Sequence, residues 1–199
     1  MKKNTLVALI AVVVVAIIAF GGRLMMTDGD HGGTPLIGGP FTLVNGDGKT
    51  VTDSDFRGKW MLIYFGYTFC PDVCPTALST VTGAMDKLPP AQADKITPMF
   101  ITVDPARDTP EVVKGYAEAF HPRMVGLTGS AEQIDAVKKA YKVYGQRAKA
   151  TGKGDDDATY TVDHSSILYL IGPDGRFAAH FPHGTTVDQL AASLAKQVK

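Results

Sequence analysis

The sequence of 199 residues has little cysteine and no net charge. Its 20 basic residues balance 20 acidic ones, but the first 23 residues carry only basic charges, three in number. The remainder therefore carries 17 basic and 20 acidic residues, a net charge of −3. A mildly acidic domain is a poor candidate for binding nucleic acid, so we do not expect that class of partner. With only two cysteines, Cys70 and Cys74, any thiol chemistry falls on a single pair.

The N-terminus contains a long uncharged stretch. Residues 4–22 carry no charge and are dominated by aliphatic side chains. As a helix rising about 1.5 Å per residue they would span roughly 28 Å, close to the hydrocarbon thickness of a bilayer. Lys2 and Lys3 precede the stretch, which predicts a single-pass inner-membrane anchor with the domain facing the periplasm or extracytoplasmic space. A cleaved signal peptide, with Ala19 and Gly21 as small residues before the cut, is the alternative.

The rest of the chain divides into a tether and one domain. We predict an anchor at residues 1–26, a glycine-rich flexible tether at 27–39 and a domain at 40–199. The domain opens with a β-hairpin turning at residues 45–48, and then strands and helices alternate. This order predicts an α/β fold with a mixed central sheet, flanking helices and an N-terminal β-hairpin. The predicted strands are 60–65, 96–103, 124–127, 167–171 and 176–181, and the helices are 76–88, 109–120, 130–144 and a last one from 186.

Cys70 and Cys74 lie where the first central strand gives way to a helix, which is the thioredoxin arrangement. A proline follows each cysteine, and proline is tolerated in a first helical turn. We expect an exposed turn here, with thiol pKa values lowered by the amides of the helix start. Sulfurs four residues apart share one helix face and can converge on a soft ion such as copper(I) or zinc. A redox pair and a metal site both remain open.

A third metal ligand has to come from one of five histidines, His31, His121, His164, His180 and His183. We expect the histidine in the tether and the one after the second helix to be solvated. The last two end the closing strand. His164 precedes the strand at 167–171, which in a thioredoxin-like sheet lies beside the strand before the cysteines, and strand-end loops converge at one sheet edge. Position alone leaves His164 open between a ligand and a surface histidine.

Two aspartates next to these residues are candidates for supporting roles. Asp72, between the cysteines, is expected either to cap the helix or to tune the metal. Asp163 is expected either to accept a hydrogen bond from an imidazole N–H or to belong to the turn entering the strand. Residues 104–108 are predicted to form a structural loop with an Asp–Arg pair.

Three segments resemble the signature segments of the SCO/SenC family: FGYTFCPDVCP, VDPARDTPEVVKGYAEAF and YTVDHSSILYLIGPDGRF. The resemblance covers roughly residues 39–195 and includes the spacing between the segments. It implies a thioredoxin-like fold with an inserted hairpin. It also implies a copper ion bound by two thiolates and one histidine, which map onto Cys70, Cys74 and His164.

Members of that family are membrane-tethered copper chaperones for cytochrome c oxidase assembly. The resemblance therefore implies a metallochaperone, and not an enzyme, that delivers copper to the dinuclear copper centre of the oxidase. Its partners would be the copper-binding subunit of the oxidase, other exported copper chaperones and a thioredoxin-like reductant acting on a Cys70–Cys74 disulfide. The alternative is a thiol-disulfide oxidoreductase that reduces the cysteines of that subunit. The spacing of the cysteines is one residue longer than in thioredoxins, which favours holding a metal.

Overall fold

A computed structural model describes residues 37–148 and 160–199 of the chain. The predicted membrane anchor at residues 1–26 and most of the predicted tether lie outside the described residues. Within the two described ranges, no helix is both long enough and apolar enough to cross a bilayer.

Strands and helices alternate along the described chain from the N-terminal hairpin to a C-terminal helix. The strands are β1 (Thr42–Asn45), β2 (Thr50–Thr52), β3 (Trp60–Gly66), β4 (Ile96–Thr102), β5 (Val125–Thr128), β6 (Gly145–Arg147), β7 (Val162–His164), β8 (Ile167–Ile171) and β9 (Phe177–Pro182). The α-helices are α1 (Val73–Lys87), α2 (Pro90–Ala93), α3 (Pro110–Phe120), α4 (Ala131–Tyr141) and α5 (Val187–Gln197).

Seven strands form one mixed sheet in the order β2-β1-β5-β4-β3-β8-β9. Strands β3, β4 and β5 run parallel, while β1 and β8 pair antiparallel at either side of this parallel group. The central strands β3 and β4 are buried along nearly their whole length, which fits their continuous apolar sequences. The predicted α/β fold with a mixed sheet, flanking helices and an N-terminal hairpin is confirmed, and the cysteines follow the central strand β3.

The predicted starts of three helices agree with the structure because their caps are formed. Thr109, Ser130 and Thr186 each accept a hydrogen bond from a backbone N–H in the first turn of α3, α4 and α5. The predicted end of α3 at Phe120 also agrees with the structure, but the predicted end of α4 does not. Helix α4 stops at Tyr141 instead of continuing to 144, because Lys142 takes a left-handed conformation with φ of 57°. Helix α2 has no counterpart among the predicted helices, because Pro89 and Pro90 predict the end of a helix, whereas Pro90 is the first residue of α2.

The structure also contains a small second sheet, which no pattern in the sequence predicts. Strand β6 pairs antiparallel with β7, and Gly145 stands opposite His164 in the register. Neither strand belongs to the seven-stranded sheet. His164 is therefore the last residue of a strand in a separate two-stranded sheet, in addition to preceding strand β8 as predicted.

Candidate metal centre

Two sulfur atoms and one imidazole nitrogen converge next to the central strand. The ligand atoms of Cys70, Cys74 and His164 all lie within 4.8 Å of one another. The Cys74 Sγ lies 3.3 Å from His164 Nε2, and the backbone N–H of Cys74 donates to Cys70 Sγ over 3.4 Å. Among the residues that the structure describes, this is the one group of three or more His, Cys, Asp or Glu side chains close enough to hold a metal ion.

A turn, and not a shared helix face, brings the two sulfurs together. Helix α1 begins at Val73, so Cys74 lies in its first turn while Cys70 precedes it. The backbone N–H of Cys70 donates to the carbonyl of Tyr67 over 3.2 Å, which closes a turn directly after strand β3. The expectation that both cysteines lie on one face of a helix is therefore wrong. Asp72 occupies the N-cap position, but its side chain makes no capping hydrogen bond.

Both thiols are buried, which contradicts the expectation of an exposed turn. Cys74 is 0% exposed and Cys70 is 6% exposed, and both belong to the main hydrophobic core. Burial, reinforced by the neighbouring Cys70 sulfur, raises the pKa of Cys74 instead of lowering it. Loss of water penalises a thiolate more than the hydrogen bonds from the Tyr67 backbone and the Tyr64 side chain favour it. Burial therefore favours the neutral thiol of Cys74 over its thiolate.

Gly66 makes room for the buried sulfur of Cys74. It is the last residue of β3, and a Cβ atom placed on it would lie 2.7 Å from Cys74 Sγ. The same Cβ would lie 3.0 Å from the Tyr64 ring and 3.1 Å from the Phe100 ring. Only a residue without a side chain leaves the sulfur in its observed position.

His164 is held edge-on against two aromatic rings. Its imidazole makes T-shaped contacts with Tyr64 and Tyr67, at centroid distances of 6.2 and 5.6 Å. Its Nδ1 lies 3.3 Å from the carbonyl oxygen of Ser165. A proton on Nδ1 donated to this carbonyl leaves the lone pair of Nε2 directed at the sulfurs. The backbone carbonyl thus takes the position that we had considered for the exposed carboxylate of Asp163.

Burial also lowers the pKa of His164. Loss of water disfavours the imidazolium, whereas the Ser165 carbonyl and the Asp163 charge act in the opposite direction with less effect. A neutral imidazole is the form that binds metals. The burial of this side chain therefore keeps it ready to act as a ligand.

A buried carboxylate that the sequence reading did not single out holds the turn before Cys70. Asp108 is 0% exposed and accepts hydrogen bonds from the backbone N–H of Thr68 over 3.1 Å and from its hydroxyl over 2.6 Å. The hydroxyl of Thr102, at the end of β4, donates to the same carboxylate. The sequence contains a signal for this contact, because Thr68 follows β3 and Asp108 follows β4, and these two strands are parallel neighbours in the sheet. The predicted Asp–Arg pair of this loop is confirmed between Asp104 and Arg107, at 2.6 Å.

The other described histidines lie outside the cluster. His180 stacks on Phe177, and His183 Nδ1 lies 3.4 Å from the hydroxyl of Ser166. His121 is only 8% exposed, so the expectation that it is solvated is wrong. Its Nδ1 accepts a hydrogen bond from the backbone N–H of Arg123, which allows the ring to be buried at the end of α3.

The family model of SCO1/SenC matches residues 29–199. The chain belongs to this family. Over 170 residues it is 44% identical to the human protein "Protein SCO1 homolog, mitochondrial", a match that covers 85% of this chain and 55% of the human protein. This chain thus spans about half the length of the curated relatives that it matches. The resemblance noticed in the three sequence segments is confirmed.

Solved structures of the family show the same fold. ScoI of Bradyrhizobium japonicum, solved with copper bound, is 41% identical with a TM-score of 0.71, and the match covers 82% of this chain and 99% of that one. BsSco is described as a member of the Sco family of cytochrome c oxidase assembly proteins in which a disulfide switch was identified. It is 26% identical with a TM-score of 0.60, over 83% of this chain and 97% of its own.

Proposed function

We propose that this protein is a copper chaperone that binds one copper ion through Cys70, Cys74 and His164. The observation that carries the proposal is the convergence of the three ligand atoms, which all lie within 4.8 Å of one another. A site already assembled in this way needs little rearrangement to bind an ion. The copper-bound relative supports copper as the ion that is carried.

The chemistry of the three donors fits copper(I). Thiolates are soft ligands that select copper(I), zinc and iron–sulfur clusters, and imidazole accepts both copper and zinc. Because burial holds Cys74 as a neutral thiol, the metal must displace its proton on binding. A thiol that ionises only when the metal arrives is protected from unwanted oxidation, because the thiolate is the reactive form. His164 needs no such step, since its buried imidazole is already neutral.

An open cleft gives an incoming or departing ion a route to the ligands. Its walls are formed by the turn before α1 and by strand β7 with the residues before it. Cys70 and His164 line the cleft together with the exposed acidic residues Asp72 and Asp163. We therefore place the exchange of copper with partner proteins at this cleft, and we assign the two aspartates to its rim.

We further propose that the acceptor is the dinuclear copper centre on the copper-binding subunit of cytochrome c oxidase. The description of BsSco as an oxidase assembly protein supports this assignment. The uncharged residues 4–22 after Lys2 and Lys3 would anchor the chain in the inner membrane, with the domain on the extracytoplasmic side. Other exported copper chaperones would supply the metal, and a thioredoxin-like protein would keep both thiols reduced.

A second candidate function is that of a thiol-disulfide oxidoreductase acting on the same oxidase subunit. It is favoured by the direct contact of the two cysteines, in which the Cys74 N–H donates to Cys70 Sγ. In that reaction Cys70 and Cys74 would form a disulfide and pass two electrons and two protons to a disulfide of the target. The disulfide switch described for BsSco makes this candidate worth testing.

One mixing experiment separates the two functions. The full chain, loaded with copper(I), is combined with the soluble domain of the oxidase subunit, prepared either reduced or oxidised, and both metal and free thiols are followed. A chaperone transfers copper to the reduced subunit and leaves its own thiols reduced. If the loaded chain transfers no copper to the reduced subunit, while the copper-free reduced chain reduces the oxidised subunit stoichiometrically and itself forms the Cys70–Cys74 disulfide, the oxidoreductase function is correct and the chaperone function is wrong.

A further inference from the structure

Three side chains form a closed, mostly buried triangle beside the metal centre. The hydroxyl of Tyr160 donates to one carboxylate oxygen of Asp104 over 2.5 Å, and the Nε of Arg107 donates to the other over 2.6 Å. The guanidinium carbon of Arg107 lies 3.6 Å from the centre of the Tyr160 ring. Asp104 and Tyr160 are only 5% and 9% exposed. We call this group the Tyr160 latch.

The latch joins the two segments that carry the metal ligands. Arg107 also lies over the rings of Tyr67 and Phe69, at 5.7 and 4.7 Å, in the turn that leads to Cys70. Tyr160 stands four residues before His164, on the segment that becomes strand β7. One guanidinium therefore contacts the cysteine-bearing turn on one side and the histidine-bearing segment on the other.

Strand β7 depends on such anchors because it lies outside the main sheet. It pairs only with β6, over three residue pairs, and an isolated two-stranded ribbon of this length is marginally stable at best. At its C-terminal end, the backbone N–H of Ser165 donates to the carbonyl of Tyr144 over 3.0 Å, and the backbone N–H of Tyr144 donates to the Ser165 hydroxyl over 3.0 Å. At its N-terminal end, the corresponding contact is the hydrogen bond from the Tyr160 hydroxyl to Asp104. Arg147 of β6 lies on the same tyrosine ring at 3.9 Å, so the small sheet also contacts this ring through its other strand.

We propose that Tyr160 is a positioning residue whose hydroxyl, held by Asp104, keeps His164 within bonding reach of the two sulfurs. Tyr160 does not touch the ion itself. It acts through strand β7, so that loss of its single hydrogen bond lets the imidazole move relative to Cys74. The inference rests on the proposed function, because the distance between His164 and the sulfurs matters for holding copper.

The test compares Tyr160→Phe with the matched control Tyr144→Phe in the full chain purified in detergent. Both changes remove one tyrosine hydroxyl next to the same small sheet, but Tyr144 is 53% exposed and its hydroxyl donates only to Gln146. Phenylalanine keeps the ring on which Arg107 packs, so Tyr160→Phe leaves the packing of the triangle in place. We expect Tyr160→Phe to bind copper(I) roughly 10-fold to 100-fold more weakly, the range usual for residues that support a ligand, and Tyr144→Phe to bind like the parent.

Two further measurements distinguish a positioning role of Tyr160 from a general loss of structure in Tyr160→Phe. In the copper-loaded protein, the ¹⁵N resonance of His164 Nε2 should shift toward its uncoordinated value in Tyr160→Phe. The copper-free variant should still unfold in one cooperative transition, at a melting temperature lowered by the hydrogen bond that the buried Asp104 loses. In the background of His164→Ala, adding Tyr160→Phe should cost little more affinity, because both changes remove the same ligand. The proposal would be overturned if the losses of copper affinity in His164→Ala and Tyr160→Phe added fully in the double variant. It would also be overturned if Tyr160→Phe kept the copper affinity and the Nε2 resonance of the parent.

Failure of the latch can be told apart from failure of the proposed function. If the parent chain itself binds no copper, the chaperone function is wrong. The role of the Tyr160 latch is then tested in the copper-free protein through the imidazole resonances of His164. A change in these resonances in Tyr160→Phe, absent from Tyr144→Phe, supports the latch, and identical resonances in both variants contradict it.

Discussion

Replacing Gly66 by alanine should disturb both the fold and the metal centre. The new methyl group would lie 2.7 Å from Cys74 Sγ and 3.0 Å from the Tyr64 ring, distances at which one of the neighbours must move. Overpacking of a filled core costs about 1–3 kcal/mol. Alanine also lowers the conformational entropy of the unfolded chain, which stabilises the folded state by roughly 0.4–1 kcal/mol where the backbone conformation is allowed. We therefore expect Gly66→Ala to lower the free energy of unfolding by about 1–2 kcal/mol.

The displaced atom is a ligand of the proposed metal site, so copper affinity should fall together with stability. Urea unfolding of the reduced, copper-free chain can be followed through Trp60, the one tryptophan of the sequence, which opens strand β3. Competition with a chromophoric copper(I) chelator gives the affinity. The control is Gly115→Ala in α3, where a Cβ meets nothing within 4 Å and alanine should add up to about 1 kcal/mol of stability. A Gly66→Ala protein that unfolds at the parental urea concentration and binds copper normally would refute the packing of Cys74 against Gly66.

The remaining predictions concern redox state, pH and topology. A Cys70–Cys74 disulfide should exclude copper(I) until reductant is added, and bound copper should then protect both thiols from alkylation; alkylation of the loaded protein at the copper-free rate would contradict this. Burial lowers the pKa of His121, so its contribution to the free energy of unfolding should be present above about pH 6.5 and fall below it. His121→Gln should reduce the fall in the free energy of unfolding below about pH 6.5, and an unchanged pH dependence would contradict the lowered pKa of His121. A C-terminal reporter should be active only outside the cytoplasm.

The strand-helix order and the identity of the three clustered residues could be predicted from the sequence. Apolar runs and helix caps are local signals, and they located the central strands and the starts of α3, α4 and α5 well. The resemblance to the family then singled out His164 from five histidines. Position alone did not, because the strand that carries it is held by contacts with residues distant in the sequence.

What the sequence reading missed depends on burial and on contacts between distant segments. Local proline and glycine patterns suggested an exposed cysteine turn, yet the fold covers Cys74 completely and thereby reverses the direction of its pKa shift. His121 was expected to be solvated because it follows a helix, yet the backbone N–H of Arg123 satisfies its ring nitrogen inside the fold. The contact of Tyr160 with Asp104 joins residues 56 positions apart, and no local pattern reports such a distance.

The most direct test of the proposed site is X-ray absorption at the copper edge on the full chain loaded with copper(I). We predict a first shell of two sulfur atoms and one nitrogen atom, from Cys70, Cys74 and His164. In His164→Ala the nitrogen should be lost or replaced by an exogenous ligand, whereas His180→Ala should give the parental spectrum. A sulfur-only shell in the parent, or a spectrum that His164→Ala leaves unchanged, would contradict the three-ligand site.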